Sequence, residues 1–526
     1  MTPPSGRARS LLAAVAGALL VPAFPPFDLW PLAVLATALL CWLLSWPGPV
    51  RRVGAQAGFW FGMTFFAGSV YWVVPVMQHY GGLSWMVALS VLVLFVALLA
   101  AFFAGFSALV QHLVNQLGAG PALILAPAVW VGAELARGHV LTGFPWVRLG
   151  NALHTIPALL QLASVTGIYG LSFLLLALAS SLALLARPAL RATGAIYLSL
   201  LLLMAVGIFA WGSARADRLR GEAEASRGIG VACVQGNVPQ DHKWSREAAD
   251  EILARHLELT RLAASRGAEL VVWAESSLPF PLRRHAEFSN RVRQAARDTG
   301  SALIIGSLDW RPTGQDGRQV YNSAFLVSAG EPVRLAYDKV HLVPFGEYVP
   351  LRRVLFFASK LVEEVGELSA GNGQQHLAAG SGVQGLPGLG ILICYEIIFP
   401  GLARQAVNDG AQVLLTLTND AWFGNTAAPH QHFSEAVIRA VETGRWVVRA
   451  ANTGISGIIA PSGDVAARTE LGVATLAQAE IYPRSERTLY VRLGDVFAWA
   501  CVILTAVVVV LGRRRAAPGM SSKQVG

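Results

Sequence analysis

Three segments in the C-terminal half place a reactive side chain just after an apolar, strand-like stretch. They are Val271-Val-Trp-Ala-Glu275, Tyr337-Asp-Lys339-Val-His341 and Ile391-Leu-Ile-Cys394-Tyr395-Glu396. A layered α/β fold often presents reactive groups at the carboxyl ends of its strands. Acyl transfer needs a thiolate to attack, a carboxylate to accept the thiol proton, and a cation that favours the thiolate and stabilises the developing oxyanion. The pattern therefore favours acyl chemistry at Glu275, Lys339 and Cys394.

Each of these residues has a simpler explanation when it is considered alone. Cys394 follows three aliphatic residues, a setting typical of a buried core cysteine. Glu275 could cap a helix that begins at Ser276 or Ser277. Lys339 could be a solvated charge at the end of a strand. Only the combination of the three in one domain favours catalysis over these alternatives.

The elements that must position these residues alternate between short β-rich runs and helical stretches. The predicted strands are 230–238, 270–274, 302–308, 321–327, 390–394, 413–418 and 455–460. The predicted helices are 245–266, 283–298 and 430–442. Alternation of this kind over about 260 residues predicts one layered α/β domain.

The N-terminal part of the chain is much more apolar than a water-soluble domain. Of 526 residues, 54% are hydrophobic and 14% are charged, against roughly 45–50% and roughly 25% in soluble domains. A membrane span needs about 20 mainly apolar residues, and such runs lie at 10–25, 28–47, 55–77, 85–112, 121–136, 164–186, 193–212 and 493–512. The sequence therefore predicts a multi-pass membrane domain of about eight helices, seven before the α/β domain and one after it. A cleaved signal peptide is the alternative for the first run.

Short arginine-rich loops predict the orientation, because such loops stay in the cytoplasm. They lie before the first run and after the second, sixth and eighth runs, at Arg7 and Arg9, Arg51 and Arg52, Arg187 and Arg191, and Arg513–Arg515. All four fall on one side, which places the polar domain outside the cytoplasm, although three arginines just beyond the seventh run argue weakly against this. The predicted domains are a membrane domain at 1–212, an extracytoplasmic domain at 213–492, a membrane helix at 493–512 and a cytoplasmic tail at 513–526.

Several other functions are disfavoured. The net charge of +9 does not indicate a nucleic-acid partner, because the polar part has no basic stripe interleaved with aromatic residues. No cofactor or metal is expected: the four cysteines form no CxxC pair, and His430 and His432 lack a third ligand in the sequence. A disulfide between Cys233 and Cys394 would disable the thiol. Cys233 lies within a predicted strand, however, and is expected to be a buried free thiol.

Three motifs resemble the Glu, Lys and Cys segments of the nitrilase, or carbon-nitrogen hydrolase, superfamily. In the family's order, and within residues 228–485, they are Trp273-Ala-Glu275-Ser, Tyr337-Asp-Lys339-Val-His-Leu-Val-Pro-Phe-Gly-Glu347 and Ile393-Cys394-Tyr395-Glu396. The resemblance implies an α-β-β-α sandwich in which Glu275 is the general base, Lys339 stabilises the oxyanion and Cys394 is the nucleophile. Ala274 stands where proline is common, a difference that touches backbone shape rather than chemistry.

The chain as a whole resembles the apolipoprotein N-acyltransferase family, which joins such a domain to membrane helices. The further segments that carry the resemblance are Gly143-Phe-Pro-Trp146, Val234-Gln-Gly-Asn-Val-Pro-Gln240 with Trp244, Phe345-Gly-Glu347-Tyr-Val-Pro350 and Thr418-Asn-Asp-Ala-Trp-Phe-Gly424. The resemblance implies acyl transfer from a membrane phospholipid, through a thioester on Cys394, to the α-amine of a diacylglyceryl-cysteine at a lipoprotein's N-terminus. It also implies supporting roles for Trp244, Glu347, Tyr395 and Glu396. The implied location is the bacterial inner membrane, with the catalytic domain in the periplasm.

Two alternatives remain open from the sequence. A membrane-tethered amidase or nitrilase would use the same three residues and give the acyl group to water. A transporter or sensor could carry an inactive domain of this type, although the apolar runs hold few ionisable residues for an ion path. Two apolar segments, Leu278–Leu282 and Arg352–Val362, could line an acyl groove or meet the bilayer surface, with core packing as the alternative for both.

Overall fold

The molecule consists of a block of apolar helices joined to a two-sheet α/β domain. A computed structural model describes residues 4–240, 243, 248–313, 317–348, 367–373, 377–378, 380 and 385–516. The N-terminal helices are α1 (Gly6–Leu20), α2 (Pro31–Leu44), α3 (Gln56–Ser69), α4 (Val73–His79), α5 (Trp85–Leu117), α6 (Ala119–Arg137), α7 (Pro157–Leu160), α8 (Ala163–Thr166), α9 (Ile168–Leu185) and α10 (Arg191–Glu224).

Each of the eight predicted apolar runs contains a helix, but the helices differ in length. Among the described residues, five helices are long and apolar enough to cross a membrane, or six if a bent pair counts as one span. That pair is formed by Val53–Ser69 and Val73–His79, which meet at 52°. Helix α2 and the apolar stretch Val496–Gly512 of the last helix are shorter. The protein is therefore a multi-pass membrane protein, with one of its predicted spans bent.

Helix α10 continues well beyond the predicted end of the seventh membrane run at residue 212. It is an unbroken helix of 34 residues, which at 1.5 Å per residue is about 51 Å long and exceeds a hydrocarbon core of about 30 Å. Its final turns contact the α/β domain, where Arg220 pairs with Asp464 at 2.8 Å and Glu222 pairs with Arg484 at 2.7 Å. The same helix thus leaves the apolar block and holds the polar domain.

The α/β domain contains eleven strands within the described residues. They are β1 (Ile229–Gln235), β2 (Leu270–Trp273), β3 (Ala302–Thr313), β4 (Gly317–Val327), β5 (Arg334–Asp338), β6 (Leu389–Ile393), β7 (Val413–Thr418), β8 (Trp446–Ala451), β9 (Gly457–Ile459), β10 (Val465–Arg468) and β11 (Thr475–Ile481). The helices of this domain are α11 (Ala249–Ser265), α12 (Ala286–Thr299), α13 (Pro400–Asn408), α14 (Ala428–Thr443) and α15 (Leu489–Leu493). The domain is followed by the apolar helix α16 (Val496–Ala516).

The strands form two sheets that face each other. One has the order β11-β1-β2-β3-β4-β5 and the other the order β10-β9-β8-β7-β6. In the first sheet β1, β2 and β3 are parallel, and in the second β6, β7 and β8 are parallel. Parallel strands bring their carboxyl ends to one edge of a sheet, so each sheet presents one such edge for functional groups.

Successive side chains of a strand point to opposite faces of its sheet, so the two sheets together have three hydrophobic layers, one between the sheets and one on each outer face. Val231 and Cys233 of β1 pack with Ile391 and Ile393 of β6 in the core between the sheets. The opposite face of the first sheet packs against α11 and α12. The outer face of the second sheet packs against α13 and α14, in a cluster that continues into the apolar block. This arrangement is an α-β-β-α sandwich and confirms the predicted fold class.

Helix α14 joins the sandwich to the apolar block. Every residue from Gln431 to Thr443 is buried, and its polar side chains bond to the N-terminal part of the chain. Glu435 accepts hydrogen bonds from Arg148 at 3.2 Å and from Asn151 at 2.8 Å. Glu442 accepts a hydrogen bond of 2.8 Å from the backbone N–H of Ile168, where α9 begins. Helix α14 is therefore packed on both sides and fixes the position of the sandwich on the membrane helices.

Candidate active site

The three reactive residues predicted from the sequence come together at the carboxyl ends of three strands. Glu275 follows β2, Lys339 follows β5 directly and Cys394 follows β6 directly. The Nζ atom of Lys339 lies 3.5 Å from Oε1 of Glu275, and the thiol of Cys394 interacts electrostatically with both side chains. All three residues are buried. The site thus lies at the edge where the two sheets meet.

Two amides hold the carboxylate of Glu275. The side-chain amide of Asn322, in β4, donates a hydrogen bond of 2.6 Å to Oε1, and the backbone N–H of Asn419, just after β7, donates one of 2.8 Å to Oε2. Gly306 in β3 makes room for this segment, because a Cβ atom there would lie 2.7 Å from the Cα of Glu275. The carboxylate is therefore fixed by strands from both sheets.

Lys339 is a buried cation between two carboxylates. Its Nζ atom donates a hydrogen bond of 2.7 Å to Oε1 of Glu347. The other carboxylate oxygen of Glu347 accepts a hydrogen bond of 2.8 Å from the backbone N–H of Val343. Burial alone would lower the pKa of Lys339, but Glu347 and Glu275 raise it well above its usual range. Lys339 therefore stays charged at physiological pH.

Cys394 occupies a sharp turn between β6 and a short helical turn, Cys394–Ile398. Its φ of 53° lies in the left-handed region that non-glycine residues rarely adopt. Burial raises the pKa of the Cys394 thiol and Glu275 raises it further, while Lys339 acts in the opposite direction. The thiol is therefore neutral at physiological pH, and it can act as a nucleophile only if its proton passes to a base.

The carboxylate of Glu396 connects the turn at Cys394 to the segment that carries Lys339. Its Oε1 atom accepts hydrogen bonds from the Tyr337 hydroxyl at 2.9 Å and from the backbone N–H groups of Val340 at 2.7 Å and His341 at 3.0 Å. Its Oε2 atom accepts 2.7 Å from the backbone N–H of Ile393. Glu396 is fully buried and holds both segments in register.

Tyr395 extends from the same turn toward the apolar block. Its hydroxyl donates a hydrogen bond of 3.3 Å to the carbonyl of Gly143, in the segment between α6 and α9. Nearby, Trp72 packs against Phe423 at 4.9 Å and against Trp146 at 5.3 Å between ring centroids. Aromatic residues of the apolar block therefore pack against the sandwich near the turn at Cys394, where the ring of Trp146 lies 5.6 Å from that of His432.

The sequence did not predict several of the residues around the site. Asn322 and Asn419 bind the carboxylate of Glu275, and Lys243 donates a hydrogen bond of 3.2 Å to its backbone carbonyl. Burial lowers the pKa of Lys243 to about 8. Asn419 belongs to a segment quoted for the family resemblance, so that segment could have indicated it. Asn322 and Lys243 carry no comparable signal in the sequence.

Other predictions fall outside the site or outside the described residues. Trp244 and the segment Arg352–Val362 lie outside the described residues. Leu278, Phe280 and Leu282 are buried with α12 in the outer layer of the sandwich, which is the core-packing alternative for that segment. All four cysteines are free, and Cys233 lies in the core between the sheets, as expected.

Comparison with known proteins agrees with the two-part architecture. Residues 230–489 match the carbon-nitrogen hydrolase family, and residues 16–181 match the apolipoprotein N-acyltransferase N-terminal domain. The apolipoprotein N-acyltransferase of Geobacter metallireducens is 38% identical over 96% of this chain and 95% of that protein. The chain belongs to the apolipoprotein N-acyltransferase family. The family protein of Pseudomonas putida is 34% identical over 96% of this chain and 97% of its own length.

Solved structures similar to this chain include an amidase from Nesterenkonia sp.. It is 20% identical, and the match covers 52% of this chain and 95% of the amidase with a TM-score of 0.37. Members of the apolipoprotein N-acyltransferase family are acyltransferases by name. Membership therefore places this chain among membrane-bound acyltransferases.

Proposed function

We propose that this protein moves an acyl chain from a membrane phospholipid to the α-amine of a diacylglyceryl-cysteine at the N-terminus of a lipoprotein. The observation that carries the proposal is the meeting of Glu275, Lys339 and Cys394 beside Tyr395, which bonds to Gly143 of the membrane block, the apolar helices and their loops. A hydrolase acting on soluble amides has no need of such a contact. A donor and an acceptor that both lie in the bilayer are best served by a site next to the membrane helices.

In the first half-reaction Cys394 attacks the ester carbonyl of the phospholipid. The thiol proton passes to Glu275 as the sulfur–carbon bond forms, and Lys339 stabilises the negative charge on the carbonyl oxygen. The carbon–oxygen bond of the ester then breaks, and Glu275 returns the proton to the departing glycerol oxygen. The products are a lysophospholipid and a thioester on Cys394.

In the second half-reaction the α-amine of the acceptor attacks the thioester. An α-amine has a pKa of about 7.7–8.0, so roughly a tenth is the free nucleophile at neutral pH. Glu275 takes a proton from the attacking nitrogen and returns it to the sulfur as the carbon–sulfur bond breaks. The products are an amide and a free Cys394. The amide is the more stable acyl compound, which drives the transfer forward.

The supporting residues act by holding this geometry. Glu347 fixes Lys339 through its 2.7 Å ion pair, Glu396 ties the turn at Cys394 to the Lys339 segment, and Tyr395 reaches the membrane block. Trp244 is proposed to contact substrate on the ground of the family resemblance alone. The arginine-rich loops support a bacterial inner-membrane location with residues 213–492 on the periplasmic side.

The proposal is tested with purified protein in detergent, a phospholipid with a labelled acyl chain and a synthetic diacylglyceryl peptide. We expect labelled N-acyl peptide and lysophospholipid in equal amounts. A peptide with an acetylated α-amine is the matched control and should yield no product. Release of free labelled fatty acid without amide formation would contradict the proposal and favour a membrane-tethered hydrolase.

A further inference from the structure

His432 lies directly behind Cys394, although the proposed mechanism does not use it. It is 1% exposed, in the first half of α14. Its Nε2 atom lies 3.1 Å from the carbonyl oxygen of Cys394, and its Nδ1 atom lies 3.0 Å from Oδ1 of Asp420. A carbonyl oxygen can only accept a hydrogen bond, so Nε2 carries a proton and donates a hydrogen bond to the carbonyl oxygen of Cys394.

Asp420 and Arg449 hold the imidazole in this orientation. Nη2 of Arg449 donates to Oδ2 of Asp420 at 2.7 Å and lies 3.1 Å from Nδ1 of His432, while Nε of Arg449 donates to the carbonyl of Ile455 at 3.1 Å. Thr418 donates a further hydrogen bond of 3.0 Å to Oδ1 of Asp420. Burial would raise the pKa of Asp420, but Arg449 and His432 lower it to about 2.

The packing around this group leaves little freedom. A Cβ atom on Gly454 would lie 2.3 Å from Oδ2 of Asp420, so only glycine fits there without displacing the carboxylate. The ring of Trp146, from the membrane block, lies 5.6 Å from the His432 ring. The Nε1 atom of Trp146 donates a hydrogen bond of 2.7 Å to Oε1 of Gln431. The imidazole is therefore held from the second sheet and from the membrane side together.

Cys394 needs such a restraint because its backbone is in a sparsely populated conformation, with φ at 53°. The carbonyl oxygen of Cys394 fixes the plane of the peptide that follows it. The two peptide planes that flank Cys394 together orient its Cα–Cβ bond, from which the sulfur projects. Glu396 fixes the chain before Cys394 by accepting from the N–H of Ile393. His432 is the side chain that fixes the carbonyl of Cys394 itself.

We propose that His432, oriented by Asp420 and Arg449, is a positioning residue that holds the Cys394 turn so that the thiol faces Glu275 and Lys339. This inference rests on the proposed function, in which Cys394 attacks the donor. His432 contacts the nucleophile through its backbone and does not exchange protons with substrate. Its loss should therefore slow attack by the thiol and leave phospholipid binding unchanged.

Two variants of similar polarity separate this role from general packing. In His432→Gln the side-chain amide nitrogen can reach the place of Nε2 and donate to Cys394, whereas in His432→Asn it reaches only the place of Nδ1. The measurement is the rate of thioester formation over a range of phospholipid concentrations, followed by intact mass. We expect the Asn variant to be slowed about 100-fold, the loss that a displacement of about 1 Å can cause. We expect the Gln variant to stay within about tenfold of wild type, with the half-saturating phospholipid concentration unchanged in both.

Ser434→Ala is the matched control, because Ser434 is also buried in α14 but its hydroxyl donates only within the helix, to Gln431 at 2.7 Å. It should react like wild type. Equal rates for the Gln and Asn variants, whether both normal or both lost, would overturn the inference, and so would a raised half-saturating concentration with an unchanged maximal rate. A wild-type protein that forms no acyl adduct would instead overturn the proposed function, so the two failures are distinguishable.

Discussion

Lys339 sets the charge balance of the site. It lies 2.7 Å from Glu347 and 3.5 Å from Glu275, so one cation faces two carboxylates at close range. The pair with Glu347 includes a hydrogen bond, and the longer contact with Glu275 does not. Glu347 is therefore the tighter partner of the lysine.

The roles of Glu275 and Lys339 are tested by Glu275→Gln and Lys339→Met. Each should slow thioester formation by at least about 100-fold, because one removes the proton acceptor and the other the cation beside the developing oxyanion. Glu258→Gln makes the same chemical change on the exposed face of α11 and should leave the rate unchanged. A rate within about tenfold of wild type, equal to about 1.4 kcal/mol of barrier, would remove that residue from the mechanism.

The raised pKa of the Cys394 thiol predicts a distinctive pH dependence. At neutral pH the thiol is protonated, and the thiolate grows about tenfold per pH unit until the pH reaches the raised pKa. Alkylation of Cys394 by iodoacetamide, measured by mass, should therefore keep accelerating above pH 9. Cys394→Ala identifies labelling elsewhere. A rate that levels off below pH 8 would show a preformed thiolate and contradict the need for proton transfer during attack.

The meeting of Glu275, Lys339 and Cys394 could be predicted from the sequence, because each follows an apolar strand and strand ends meet in an α/β fold. The residues that orient them could not. Asn322 lies within β4, and nothing in the strand pattern distinguishes it from a surface asparagine. In the sequence His432 stands out only as half of a possible metal pair with His430, whereas in the structure its partners are Asp420 and the carbonyl of Cys394. These contacts depend on how the two sheets face each other.

Helix α14 is the element on which the site and the membrane block both depend. It carries His432, which contacts the carbonyl of Cys394, and Glu435, which pairs with Arg148 at 3.2 Å. The Arg148 and Glu435 side chains are 0% and 2% exposed. A buried ion pair contributes little net stability, but removing one partner leaves an unpaired charge at a cost of about 3–5 kcal/mol.

Arg148→Met should therefore destabilise the protein strongly, and thermal unfolding in detergent measures the loss. The double variant Arg148→Met with Glu435→Leu should recover part of it, because the Glu435 carboxylate is no longer left without Arg148 and the neighbouring Arg439 keeps its pair with Glu442 at 3.0 Å. The matched control is Arg220→Met, which breaks a pair between α10 and the sandwich whose side chains are 46% and 38% exposed. It should cost less than about 1 kcal/mol. Equal losses for the two single variants would contradict a buried, dry junction.

Element boundaries were predicted where one physical signal dominated. The long apolar runs and the apolar strands β2, β3, β6 and β7 were found, since burial controls them. The sequence does not predict strand β8, because its Arg449 is a residue type typical of a surface. In the structure Arg449 is buried because it forms an ion pair with Asp420. Strand β10 was missed because it is mostly exposed. The predicted membrane run ends at residue 212, whereas α10 ends at Glu224. The apolar residues end near the membrane surface, and the helix continues beyond it with polar residues.

At the scale of the whole molecule, α10 and α16 connect the sandwich, at its two ends in the sequence, to the membrane. The arginine-rich loops predict that the sandwich lies outside the cytoplasm. Alkaline phosphatase fused after residue 227, between α10 and β1, should be active, and the same enzyme fused after Arg52 should be inactive. The opposite pattern would invert the topology and place the site on the side of the membrane away from exported lipoproteins.

In the proposed mechanism Cys394 carries the acyl chain between the two half-reactions, and the mass of the protein tests this directly. With phospholipid present and no acceptor, intact-mass measurement should show one acyl adduct, which neutral hydroxylamine removes and which Cys394→Ala never acquires. Adding the diacylglyceryl peptide should discharge the adduct into an amide product. An adduct that resists hydroxylamine, or one that maps to Cys233, would contradict the thioester mechanism.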